Sequence, residues 1–381
     1  MNILFVSGHP AQVHNFRLVR EELMKNGHNV FWLTTNKDIA TNLLDIYQIP
    51  YSLYHKPQKT LISQLCALVR NTWAAIRFIL KNHINIAISR TDPYSTLACL
   101  LLRRKHIVID DTEHAAASIR QKPFALMASS ILVPDCFWYE ITKKQLYFPG
   151  NIEMFYCRPG RFQLKEPWNL LGFEPATRYA IVRFVKWDAY HDVSLIGGYT
   201  DEDKIHLVNS LIDAGLRVLI TSEADLPFEL EQYKAKVPIE RMHDVMACAE
   251  LFIGESSSMA SESVVLGTPA IYVDQVGRGY TDEEAREGLL YMFRPVPTAA
   301  DVSADDKDFI LGGRKESIEK ALEIASPAFD REDWKARHAK WMATKFDCTG
   351  WLTWFIENYP ESEIEWKERR NEIERKFKND S

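Results

Sequence analysis

Short, unbroken apolar runs alternate along this chain with stretches where apolar residues return every three or four positions. Ile3-Leu4-Phe5-Val6 is the first run, and its stop at Ser7-Gly8-His9-Pro10 predicts a buried strand. Phe16, Val19, Leu23 and Met24 then recur at helical spacing as far as Asn26-Gly27-His28, and Val30-Phe31-Trp32-Leu33 is the next strand. The alternation continues with a short helix over residues 39–47 and a long amphipathic helix over Leu61–Lys81, with Leu65, Leu68, Thr72, Ile76 and Ile79 on one face. A strand over 84–88, a helix over 94–102 and strands over 106–109 and 131–134 follow, the last of these closing the first half. Residues 147–173, rich in Pro, Gly and aromatics, read as a linker. The pattern then restarts with a strand at 179–184, a helix at 204–214, a strand at 217–221 and a helix at 239–249. A Gly-containing loop over 276–282, a helix over 283–292 and closing helices over 334–342, 351–358 and 363–378 complete the chain.

Strands alternating with helices predict doubly wound parallel sheets, whose ligands bind beyond the C-terminal ends of the strands. Residues 7–15, 89–92 and 110–114 all lie at such ends. The expected architecture is α/β, two Rossmann-like domains with a cleft between them. Residues 1–165 form the first, 166–350 the second, and 351–381 are helices packing back on the first.

The stretch from Leu251 to Asp274 organises the second half. Leu251-Phe252-Ile253 stops at Gly254, and Ser256, Ser257 and Ser258 each offer a helix N-cap. Met259, Val264, Val265 and Leu266 are partly helical in spacing, Gly267 suits a C′ position, Pro269 forbids continuation, and Ala270-Ile271-Tyr272-Val273 restarts as a strand. The helix start aims unpaired N–H groups and a positive dipole end past the strand, a ready site for phosphate. Glu262, one turn in, can accept ribose hydroxyls and is expected to be dispensable to the core; the plain reading is a capped helix carrying a dipole-friendly Glu.

Composition narrows the field. At 381 residues and 46% hydrophobic, the chain can build two cores, and a net charge of -6 gives no footprint for nucleic acid. Cys66, Cys99, Cys136, Cys157, Cys248 and Cys348 are scattered, with neither C-x-x-C nor zinc spacing, which fits thiols in a reducing cytoplasm. The start, MNILFVSGHP, has no basic region and no cleavage site, and no apolar run reaches the roughly 20 residues of a membrane span. Ser7-Gly8-His9-Pro10 is not the G-x-G-x-x-G dinucleotide fingerprint.

Glu255-Ser-Ser-Ser-Met-Ala-Ser-Glu262, followed by Leu266-Gly267-Thr268-Pro269, resembles the donor-site motif of UDP-N-acetylglucosamine 2-epimerases, Asp-Ser-Gly-Gly-x-Gln-Glu-Glu and then Leu-Gly-x-Pro. Val13-His14-Asn15-Phe16, Asp110-Asp-Thr-Glu-His114 and Ser258-Met-Ala-Ser-Glu262 before Leu-Gly-Thr-Pro-Ala bring the chain closer to an uncharacterised prokaryotic family known as domain of unknown function 354. The resemblance covers roughly residues 1–295. It implies a glycosyltransferase-B fold and a hexosyltransferase using a nucleotide-sugar donor, UDP-sugar favoured, with a glycan or lipid-linked acceptor in cell-envelope polysaccharide synthesis. A nucleotide-sugar 2-epimerase or hydrolase, and a non-catalytic nucleotide-sugar-binding protein, are the alternatives. The sequence departs from the epimerase pattern at Ser257 and Ser258 (for Gly), at Ser261 (for Glu), and at Arg183-Phe-Val-Lys186, where epimerases carry His-Arg-Arg-Glu-Asn.

On this resemblance the catalytic candidates are Glu113, Asp92 and His14, and the nucleotide-sugar set is Arg183, Lys186, His243, Ser256, Ser257, Ser258, Met259 and Glu262. Glu113 beside Asp110 and Asp111 would have a raised pKa, suiting a general base; the plain reading is an acidic turn capping the next helix. His114 shares the proton or merely starts that helix, and Asn15 touches ligand or caps its own. Asp92, before Pro93, is a second carboxylate or only a helix-entry turn. Arg183, Lys186 and His191 would stabilise a departing diphosphate, or are surface charge. Asp-Asp-x-Glu-His lacks a recognised metal spacing, so neither metal nor other cofactor is expected. Arg70, Arg77 and Lys81 edge a helix containing Trp73, which suggests peripheral contact at the inner face of the membrane or a solvated face.

Overall fold

A strand covered by helices on both sides must be apolar along its whole length, because neither face meets water. Ile3, Leu4, Phe5, Ile86, Ala87 and Ile88 meet that condition, each 3% exposed or less. The structure, a computed structural model, describes residues 1–35, 38–54, 61–113, 121–186, 198–223, 225–295 and 310–378. The chain divides into two units, residues 1–156 with 345–381, and residues 157–344.

In the first unit β1 (Asn2–Ser7), β2 (Asn29–Thr35), β3 (Ser52–Tyr54), β4 (Ile86–Ser89), β5 (Lys105–Ile109), β6 (Ser130–Pro134) and β7 (Gln145–Phe148) form one sheet in the order β3-β2-β1-β4-β5-β6-β7. Every pairing is parallel. Among its helices are α1 (Pro10–Lys25), α2 (Asp38–Ile46), α3 (Leu61–Lys81), α4 (Pro93–Leu101) and α5 (Lys122–Met127). Strand order reverses between β1 and β4, the switch point where such sheets bind ligands.

In the second unit β8 (Tyr179–Phe184), β9 (Arg217–Ser222), β10 (Leu251–Gly254), β11 (Ala270–Val273) and β12 (Leu290–Phe293) pair in parallel in the order β12-β11-β10-β8-β9. The helices here are α6 (Asp201–Asp213), α7 (Met242–Ala247), α8 (Ser257–Val265), α9 (Gly279–Arg286), α10 (Arg314–Ala325) and α11 (Arg331–Met342). The reversal falls between β8 and β10. The chain ends in α12 (Cys348–Glu357) and α13 (Glu361–Lys378), both belonging to the first unit. Trp351 and Trp366 are 2% exposed or less and their rings lie 5.0 Å apart, with the Phe148 ring tilted against Trp351 at 5.2 Å. The Trp366 indole N–H donates to Tyr147 O at 3.0 Å, fixing α13 beside β7.

Four expectations are corrected. The last strand of the first sheet is β7, not residues 131–134, because Gln145–Phe148 pairs with β6. Much of the expected linker is core instead, with Ile152, Met154, Phe155 and Tyr156 all 3% exposed or less. Residues 283–292 are not one helix: α9 ends at Arg286, Gly288 takes φ +67°, and Leu290–Phe293 runs on as the edge strand β12. Leu65 and Met24 face out, 65% and 46% exposed, although both fit the helical spacing of their neighbours.

His106 on β5 is 2% exposed, its Nε2 2.9 Å from Ser89 Oγ. Burial holds its pKa down at about 4, against an ordinary 6.5. Between those values the unfolded chain binds a proton that the folded chain refuses, so stability is present above pH 6.5 and is lost as pH falls toward 4. His106→Gln should remove this dependence. Its stability difference from the parent, measured by denaturant titration, should shift by about 3 kcal/mol in the variant's favour between pH 7 and pH 4.

Candidate functional site

The best-built constellation stands at the switch point of the second sheet. Gly254 ends β10 opposite Arg183 of β8, so close that a Cβ on it would lie 2.5 Å from Arg183 O and 2.6 Å from Arg183 Cβ. Only glycine lets the two strand ends approach this way. Glu255, next in the chain and 5% exposed, accepts from Val185 N at 2.8 Å and from Tyr199 N at 2.6 Å. Ser256 is the N-cap of α8, its Oγ accepting from Met259 N at 3.4 Å, and Ser257 is the first helical residue. Ser256, Ser257, Ser258 and Met259 are all partly exposed, so this helix end, with its unshared N–H groups and positive dipole, remains accessible. At the other end Gly267 takes φ +92° and closes the helix.

The body of α8 is buried. Glu262 is 7% exposed and its Oε1 lies 3.1 Å from His243 Nε2 on α7. That corrects the expectation that Glu262 is dispensable to the core: a carboxylate this buried needs its partner. It also joins two candidates that lie nineteen positions apart. Ser261, which stands where epimerases carry a Glu, donates to Glu284 Oε1 at 2.5 Å, and Glu284 is fully buried on α9. Arg183 hydrogen-bonds Glu223; burial lowers its pKa, against the opposing pull of Glu223, Glu255 and Glu262. Lys186 is exposed beyond the end of β8, and His191 lies outside the described residues.

In the first unit the strand ends gather a different set. Arg90, just past β4, donates to Asp110 Oδ1 at 2.9 Å, to Asp111 and to Thr112 Oγ1 at 2.9 Å. Thr91 Oγ1 donates to Asp110 Oδ2 at 2.9 Å. Burial works against the charge on Arg90, but Asp111 and Asp110 raise its pKa above the ordinary arginine value. Both aspartates are thus matched by one guanidinium. Glu113 is 1% exposed, and its backbone carbonyl accepts from Tyr139 Oη. His114 lies outside the described residues. Asp92 is the N-cap of α4, with Oδ2 accepting from Ser95 N at 2.7 Å and Ser95 Oγ at 2.6 Å. Burial raises its pKa, and the Ser95 bonds oppose that rise. The helix-entry reading describes its geometry. His14 is 6% exposed on α1, stacked on Tyr156 at 5.4 Å and edge-on to Tyr47 at 5.9 Å. Asn15 is 3% exposed in the middle of α1, so it is no cap.

Arg90 and Glu255 are the residues sequence reasoning passed over. Both were in view, Arg90 in a strand-end loop and Glu255 at the head of the serine motif, but a pairing partner far away in the chain leaves no local trace.

No protein-family model and no curated protein matches the chain. Solved structures do. S. aureus MnaA in a co-structure with UDP aligns over 96% of each chain with TM-score 0.63 at 9% identity. The UDP-GlcNAc 2-epimerase of Neisseria meningitidis, bound to UDP-GlcNAc, aligns over 89% of this chain and 94% of its own, TM-score 0.61, 10% identity. MurG of Acinetobacter baumannii aligns over 93% and 99%, TM-score 0.55, 12% identity. The fold is therefore the two-sheet α/β architecture of the glycosyltransferase-B class, as the motifs implied.

Removing Arg90 should strand two buried carboxylates. Arg90→Met, close in volume, is expected to cost about 3 kcal/mol or more in a urea titration at pH 7. Replacing Asp110 and Asp111 by Asn in the same background should recover most of that loss.

Proposed function

We propose that the chain is a sugar transferase of the glycosyltransferase-B type. A nucleotide-sugar, UDP-sugar by preference, sits on the second unit, an acceptor hydroxyl attacks its anomeric carbon, and nucleoside diphosphate leaves. The observation that carries this is the accessible N-terminus of α8 at the β8–β10 switch point, with Arg183 beside it and the His243–Glu262 pair one turn behind. That arrangement suits an anionic diphosphate next to a carboxylate able to take ribose hydroxyls. In this reading Glu113 is the general base, His14 helps hold the acceptor, a glycan or lipid-linked sugar of the cell envelope, and the reaction runs in the cytoplasm. The resemblance to the family of domain of unknown function 354 rests on the motifs alone.

The second reading, a nucleotide-sugar 2-epimerase or hydrolase, draws on the folds of the epimerases above. Two departures favour transfer: Arg183-Phe-Val-Lys186 in place of His-Arg-Arg-Glu-Asn, and Ser261 committed to Glu284.

A thermal-shift panel of UDP-, GDP-, CMP- and dTDP-sugars tests the donor. A true ligand at about 100 times its Kd should add about 2.7 kcal/mol of stability. Glu262→Gln should then weaken binding of the best ligand about tenfold or more, since a charge-assisted bond contributes about 1.5–3 kcal/mol. Glu113→Gln should leave binding intact and lower turnover about 100-fold. A flat panel, or Glu262→Gln binding as tightly as the parent, would remove the donor site from α8.

A further inference from the structure

Helix α3 carries more apolar surface than covering a sheet requires, with one face on the sheet and a second stripe exposed. Its inward face is Ala67, Asn71, Ala75 and Ile79, each 1% exposed or less, mostly small residues. Four of its large apolar residues nevertheless point out: Leu65, Val69, Trp73 and Leu80 are 65%, 73%, 60% and 51% exposed. Spacings of four, four and seven residues put these on one stripe. Arg70, Arg77 and Lys81, all exposed, follow one long edge of it. The helix contains no Asp or Glu, so it is a cationic strip on a chain of net charge -6. A groove lined by Ala74, Arg77, Phe78, Leu80 and Lys81 runs along its C-terminal half. The helix packed beside it, α4, ends in Leu100 and Leu101, 50% and 66% exposed, followed by Arg103 and Arg104.

We propose that this face of α3 docks the protein on the surface of an anionic phospholipid bilayer. Leu65, Val69 and Trp73 enter the boundary between headgroups and acyl chains, and Arg70, Arg77 and Lys81 meet the lipid phosphates. Charge selects this occupant. A second copy bound face to face would oppose two cationic strips, and a polyanion without an apolar layer would leave the stripe in water. Among the described residues no helix is long and apolar enough to cross a membrane, so the contact lies in the plane of the interface. The proposal does not depend on the nucleotide-sugar reading.

The test is co-sedimentation of the full chain with vesicles of phosphatidylcholine, alone or with about 30% phosphatidylglycerol. Binding should require the anionic lipid and weaken at about 0.5 M salt, where the Debye length of about 4 Å screens the attraction. Arg70→Glu with Arg77→Glu should lower partitioning at least about tenfold, and Val69→Ser with Trp73→Ser by a similar factor, with melting temperatures unchanged because these side chains are exposed. Quenching of tryptophan by bromolipid should disappear in Trp73→Phe. Equal binding to neutral vesicles, no binding at all, or binding that neither double variant alters overturns the proposal. So does self-association in light scattering that Trp73→Ser abolishes, which would give the face to a second copy.

Discussion

The close approach of two parallel strand ends sets the geometry of the candidate donor site. With no Cβ on Gly254, β10 reaches the level of Arg183 on β8 and turns directly into α8. Any side chain there would push the strands apart at the point where their order reverses. From that one contact follow the placement of Arg183, the start of α8 at Ser257, and the position of Glu255, whose two oxygens bind the backbone on either side of the neighbouring loop. The helix end is held by strands rather than by loop residues, the arrangement that best fixes a binding geometry.

Buried ionisable side chains meet in pairs or groups in both units. Arg90 gathers two aspartates at one switch point, and His243 meets Glu262 beside the other. Neither set is needed to make a sheet. An apolar cluster of the same volume would serve stability as well or better, because desolvating ions is costly. Both sets stand at or beside the C-terminal ends of parallel strands, where sheets of this kind bind their ligands.

Helix α3 shows how one periodic pattern admits two orientations. A helix rich in Leu, Ile, Val and Trp has more than one apolar face, and spacing alone does not say which of them meets the sheet. The sheet takes Ala75 and Ile79, with Ile76 and Phe78 packed against the same cluster, and the stripe of Leu65, Val69 and Trp73 is left outward.

The sequence by itself determined the alternation of strand and helix, the restart at Tyr179, the capped helix between Gly254 and Gly267, and from its motifs the fold class. These are local properties: runs of apolar residues, caps and glycines act within a few positions. Edge strands β3, β7 and β12 were not legible: unlike the equally short β4, β10 and β11, they contain no β-branched residue to set them apart from loop or helix. The tertiary structure alone decided which serine caps α8, that Asp92 caps α4, that Asp110 and Asp111 share Arg90, and that Glu262 is buried against His243. The two caps are local contacts, three residues apart, among several that the sequence offered; the Arg90 and His243 pairings depend on partners brought near by a crossover connection, and a parallel sheet makes such neighbours from residues that sequence spacing keeps apart.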